Sequence, residues 1–218
     1  MPSSWTQPID LYCERTDASF WAEPVNAATN IAFLLAAVWA FMLWRRNQVR
    51  DWATLALIVV TGTIGIGSFA FHTIATRGAV LLDVVPIVLF IYGYLFLALR
   101  RYLQLPIRIA TAVLILFALA LRGVAYVLPG GVLNGSGEYL LPLLALVVVG
   151  SLAPRPQGGS IVLAAAVFAG SLVFRTIDQA VCPAFSLGTH FLWHLLNAAV
   201  LFILLRVAVR FPDPKPGT

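Results

Sequence analysis

The sequence predicts an all-α, polytopic membrane protein with seven transmembrane helices, and three observations carry that reading. Of the 218 residues, 61% are hydrophobic and 11% charged, against about 45–50% apolar and about 25% charged in a soluble domain. Mean hydropathy is +0.92, so too little polar surface exists to cover a water-soluble core. Seven apolar runs follow one another with short connections, each near the roughly 20 residues that a helix needs to cross hydrocarbon. The same composition excludes a collagen-like, disordered or small disulfide-scaffold protein and argues against a soluble enzyme. Residues 1–218 read as one domain, with an outer N-terminal segment over 1–25 and an inner tail over 211–218.

The first run, 26–44, stops at Arg45, Arg46 and Arg50. The second, about 52–71, opens at Trp52, and the third, about 79–99, is bounded by Arg100 and Arg101. Four more lie near 106–121, 138–153, 159–177 and 188–209. Pro106 and Pro154 fit helix boundaries, whereas Pro86 and Pro142 fall inside spans and predict a kink or the end of a first turn. The Gly- and Pro-rich stretch 128–138 reads as an outer loop and 153–159 as a tight inner turn.

Charge then orients the bundle. The net +5 comes from 14 basic and nine acidic residues, with no nucleic-acid-binding motif to absorb it. Ten of the basic residues follow spans one, three, five and seven: Arg45, Arg46, Arg50, Arg100, Arg101, Arg108, Arg155, Arg206, Arg210 and Lys215. Asp10, Glu14, Asp17, Glu23, Asp83, Glu138 and Asp178 fall on the other side. The positive-inside rule predicts an outer N-terminus and a cytoplasmic C-terminus in a plasma or inner membrane. The N-terminus lacks the basic start and cleavage site of a signal peptide.

Three histidines occur, all at outer ends of predicted spans. His72 closes the second, while His190 and His194 open the seventh, one turn apart on one face. Imidazoles buried in hydrocarbon without partners are costly. Three converging from two helices match a zinc set that leaves a fourth position for water. Each histidine alone would read as an interfacial hydrogen-bonding group. Asp83, near the start of the third span, is an intramembrane carboxylate and so a site candidate, or else a partner of Arg77. Ser68 lies four residues before His72 on the same face; it can serve an oxyanion or simply bond back to the preceding turn. Arg77 and Arg175, at the outer rim, read as headgroup contacts or interfacial anchors.

Two further groups precede the first span or face it. Asp10, Glu14, Asp17 and Glu23 put four carboxylates in 14 residues, enough for a hard cation such as calcium, or a solvated tail. Cys13 and Cys182 both fall on the outer side, where disulfides persist. A bridge between them would pin the N-terminal segment beside the seventh span; two unpaired apolar fillers are the alternative.

Ser68-x-x-x-His72, then Asp83, then His190-x-x-x-His194, standing as SFAFHTIATRGAVLLDVVP and GTHFLWH, resembles the alkaline ceramidase family of seven-span membrane amidohydrolases. Local matches at Cys13-Glu14 and Glu23-x-x-Asn26 extend the resemblance over about 10–197. The family is in turn similar to adiponectin- and progestin-receptor-like proteins. The resemblance implies a multi-pass membrane hydrolase that cleaves the amide of ceramide to a sphingoid base and a fatty acid. It assigns zinc to His72, His190 and His194, and the water and oxyanion to Asp83 and Ser68. It also implies calcium at the N-terminal acidic residues, although Tyr12 stands where the family has tryptophan and no Asn-Tyr follows Glu14. The expected partner is a membrane lipid substrate held between helices near the outer leaflet. The alternatives are a hydrolase of another acyl lipid, or a receptor-like scaffold with a structural zinc.

Overall fold

The computed structural model describes residues 4–49, 51–127 and 132–212. Among these, seven helical segments are long and apolar enough to cross a membrane. The first is α1 (Pro24–Thr29) continued by α2 (Ile31–Arg46). Then come α3 (Trp52–Ile74), α4 (Arg77–Arg101) and α5 (Ile107–Val127). A 3-10 turn over Val132–Tyr139 leads into α6 (Leu140–Leu152), followed by α7 (Gln157–Val181) and α8 (His190–Arg210). The expected spans are all present, mostly two to six residues longer at one or both ends because polar residues still extend a helix beyond hydrocarbon.

α3 and α8 lie at the centre, with α2 packed on both, α4 on α3, and α7 on α8. α5 buries only Ala110 and Phe117 and forms the periphery. Outward-facing Leu35, Val38, Trp39, Val85, Leu89, Leu116, Leu119 and Leu163 stay exposed. An apolar surface of this extent is unsustainable in water and natural in hydrocarbon.

The bundle has two chemically distinct ends. At one, Asp51 caps α3 by accepting from the Thr54 N–H at 2.7 Å and pairs with Arg101 at 3.2 Å. Arg101 also donates to the Ala208 carbonyl at 3.1 Å, tying α3, α4 and α8 together. Burial pushes the Asp51 carboxyl up, but the Thr54 bonds and the Arg101 charge outweigh it and hold it below the ordinary range. At the other end lie all three histidines.

Two features shape that histidine end. Pro86 sits inside α4 without ending it, and its missing N–H frees the Leu82 carbonyl four residues earlier. That carbonyl abuts Gly67 of α3 so closely that an added Cβ would overlap it. Gly67 therefore lets the two backbones touch, bringing the Ser68–His72 face of α3 against Asp83 of α4. Of the stretch read as an outer loop, 128–131 lie outside the described residues and Val132–Tyr139 form a 3-10 turn. Leu133, Asn134 and Gly135 adopt left-handed backbone, folding the turn inward so that the Asn134 carbonyl accepts from Arg175 at 2.6 Å. The N-terminal segment crosses the same end. The Ile9 N–H donates to Ala75 at 2.8 Å, and Gln179 donates to the Leu11 carbonyl at 2.9 Å.

Candidate metal centre

α3 carries His72 near its C-terminus and α8 carries His190 and His194 in its first turn and a half. Their ring centroids lie 4.6–5.2 Å apart. One ligand atom from each lies within 4.8 Å of the others, all three residues being buried. Among the described residues no fourth histidine, cysteine or carboxylate completes the group.

The outer faces of two rings are already engaged, which decides which atoms remain. His72 Nδ1 meets Glu23 Oε2 at 2.6 Å, and His194 Nδ1 meets the Thr29 hydroxyl at 3.0 Å. With Nδ1 engaged in both rings, Nε2 is the nitrogen each has left to offer a metal. His72 Nε2 and His190 Nδ1 are buried without a hydrogen-bond partner, and buried polar atoms left unmade are costly. A borderline metal with nitrogen ligands satisfies this donor set. Zinc fits it.

Asp83 is half-buried on α4; Ser68 faces its carboxylate, and His72 lies within electrostatic reach. Both residues expected to act beside the metal are thus brought to one side of the triad.

The four N-terminal carboxylates named for calcium each have their own surroundings. Glu14 accepts the backbone N–H groups of Val25 and Asn26 at 2.7 and 2.8 Å, capping α1. Burial raises its carboxyl above the ordinary range against those bonds. Glu23 bridges His72 and Arg15, whose Nε donates to it at 2.5 Å, and accepts from Asn26 at 3.1 Å. Burial opposes its ionisation, but His72 first, then Arg15 and Asn26, hold it below the ordinary glutamate range. Asp17 is exposed and caps Ser19, and Asp10 is exposed. The four do not converge. Arg15, buried, also donates to the carbonyls of Asp17, Ser19 and His72 at 3.1, 3.4 and 2.8 Å.

The disulfide between Cys13 and Cys182 is present, with Cα atoms 5.5 Å apart across 169 residues. Constraining so long a loop contributes about 5 kcal/mol by chain entropy. Three neighbouring residues were given no role at the site by the sequence reading. Tyr12, adjacent to Cys13, stacks on the His190 ring at 3.6 Å and covers His72 at 5.3 Å. Burial pushes its phenol above the ordinary value, so it stays a neutral donor. Asp178 is fully buried on α7 and accepts the N–H groups of Thr189 and His190 at 2.7 and 2.9 Å, and of Cys13 at 2.9 Å. It caps α8 from outside that helix, setting the height of His190. Gly188 has φ of 64° and no room for a Cβ between Asp178 and Cys13.

No protein-family model matches this chain. A search of curated proteins likewise finds no match.

Proposed function

We propose that this protein is a zinc-dependent intramembrane hydrolase that cleaves the amide bond of ceramide or a related N-acyl lipid, yielding a free fatty acid and an amine. The observation that carries the reading is the buried three-histidine group with no fourth side-chain ligand among the described residues, beside Asp83 and Ser68. A structural zinc site is closed by four protein ligands, whereas a catalytic one keeps a position open. His72, His190 and His194 would hold the ion, which when bound supplies polarisation of the amide carbonyl and acidification of water.

The chain's own groups supply the rest. Asp83 accepts the proton from the attacking water and returns it to the amide nitrogen, which departs as the amine once protonated. The Ser68 hydroxyl donates to the carbonyl oxygen as it gains charge. Glu23 and Thr29 hold the imidazoles in register. Below the centre, an apolar cavity is lined by Phe33, Ile64, Phe90, Trp193 and Leu201 among others. It offers an acyl chain about 0.8 kcal/mol per buried methylene.

The arginine-rich end of the bundle supports a cytoplasmic placement, putting the centre near the outer leaflet; the disulfide at the histidine end fits an oxidising compartment. Purified protein incubated with a panel of N-acyl lipids should release fatty acid and amine, and a chelator should abolish release. Asp83→Asn should retain zinc and lose about 10²–10⁴-fold in turnover. Wild-type turnover in that variant would remove Asp83 from the reaction. Absence of hydrolysis across the panel by zinc-loaded protein would overturn the enzyme reading.

A further inference from the structure

The turn that leads into α1 divides its side chains between two environments. The Ala22 N–H donates to the Ser19 carbonyl at 3.3 Å, so the chain reverses over Ser19–Ala22. Ala22 and Glu23 face inward and are buried, whereas Phe20 and Trp21 at the tip are 50% and 60% exposed. The two rings meet edge to face at 5.0 Å. No side chain of Ser19–Ala22 carries a charge, so nothing in the tip resists removal from water.

The neighbours of the tip name what covers it. Trp21 meets Phe69 edge-on at 6.3 Å. Phe69 is itself exposed and shares one face of α3 with the exposed Val59 and Ile66, at three- and seven-residue spacing. That face belongs to a membrane span, so the aromatic pair continues a lipid-facing surface. Its depth agrees. Trp52, exposed at the opposite end of α3, is 17 residues from Phe69, about 26 Å by the helical rise. The hydrocarbon layer is about 30 Å thick, which sets Trp52 and Trp21 near its two boundaries, where tryptophan is enriched.

The base of the turn is fastened to the metal centre. Arg15 donates to the carbonyls of Asp17 and Ser19 and to the Glu23 carboxylate. Glu23, two residues after Trp21, holds His72 Nδ1 at 2.6 Å.

We propose that Phe20 and Trp21 form a membrane-surface anchor, seated between hydrocarbon and headgroups in the leaflet at the histidine end, and that this seat fixes Glu23 and through it the His72 imidazole. The rings supply apolar bodies for the acyl region, and the Trp21 indole N–H supplies a donor for the headgroup oxygens. The anchor does not depend on the hydrolase reading. Its effect on His72 rests on the three-histidine centre alone.

The first test places full-length protein in phosphatidylcholine nanodiscs whose acyl chains are brominated either near the glycerol or near the methyl end. The emission difference between wild type and Trp21→Phe isolates one of six tryptophans. It should be quenched most by bromines near the glycerol and little by acrylamide in the water. Strong acrylamide quenching with no response to either bromolipid would overturn the anchor. The second test is zinc affinity by chelator competition. Phe20→Ser with Trp21→Ser should weaken zinc by up to about 10-fold, the smaller loss expected when the partner of a ligating histidine is displaced. Phe20→Leu with Trp21→Phe should keep wild-type affinity. In a Glu23→Ala background the serine pair should cost nothing further. Wild-type affinity in the serine variant, or an equal loss with and without Glu23, would overturn the link to His72. Glycerol-level quenching in a protein that binds no zinc would sink the metal-centre reading and leave the anchor standing.

Discussion

Removing the Glu23 carboxylate separates its role at the metal centre from its role in the ion pair. Glu23 is the partner of His72 Nδ1 at 2.6 Å and the acid on Arg15 at 2.5 Å. Loss of a partner that orients a ligating histidine costs about 10- to 100-fold in metal affinity, or about 1.4–2.8 kcal/mol. Glu23→Gln keeps an acceptor for Nδ1 and should fall near the lower figure; Glu23→Ala should fall near the upper. Breaking a buried ion pair costs about 3–5 kcal/mol when the remaining charge is stranded. Arg15 keeps three carbonyl acceptors, so the loss in stability should lie at the low end of that range. Adding Arg15→Met to Glu23→Ala should recover stability without recovering metal affinity. Competition with a zinc chelator measures the first quantity and thermal unfolding the second. Wild-type zinc affinity in Glu23→Ala would refute the orienting role, and a calcium-induced rise in melting temperature that needs Glu23 would restore a cation site there.

The remaining predictions probe the scaffold. Gly67→Ala should wedge α3 from α4 at Leu82, lowering both melting temperature and Asp83-dependent turnover, whereas Gly123→Ala, which meets nothing within 4 Å, should leave both unchanged. Asp178→Ala strands the N–H groups of Cys13, Thr189 and His190; at about 1–3 kcal/mol for each buried group left unmade, a severe loss of stability and zinc content is expected by unfolding and elemental analysis. Asp51 has a folded-state pKa below its unfolded value, so its contribution is present at neutral pH and is lost as pH falls through the lowered value. Melting temperature against pH should therefore show an acid limb that Asp51→Asn flattens.

Much of the architecture was legible because hydrocarbon imposes one length and one polarity on each span. The shared depth of His72, His190 and His194 followed from helix direction and the one-turn spacing, and the structure brings the three together. What surrounds them was less legible, since it depends on contacts between residues far apart in the chain. The acidic N-terminal residues suggested a cation site on composition and on the resemblance, and neither showed how those carboxylates are partnered. Arg15 lies among them and pairs with Glu23, a contact that spacing alone does not reveal. Tyr12 was read only as a departure from the family's tryptophan; its place follows from Cys13 being fastened to Cys182. Asp178 was read only as a charge on one side of the bundle, because a helix cap donated by a neighbouring helix leaves no local pattern. Gly67 was one of several glycines in its span, and its importance appears only when the carbonyl freed by Pro86 is found beside it.

The stacking of Tyr12 on His190 and the pairing of Glu23 with His72 have a consequence for biosynthesis. The centre draws on residues before the first span and on residues of the seventh, so the contacts that complete it have almost the longest sequence separation the chain allows. Such contacts form late, after the loop-closure entropy has been met by everything between them. A nascent chain with six spans inserted holds His72, Glu23 and Cys182 but neither of the other two histidines. The three-histidine group is therefore complete only when the last helix is in place.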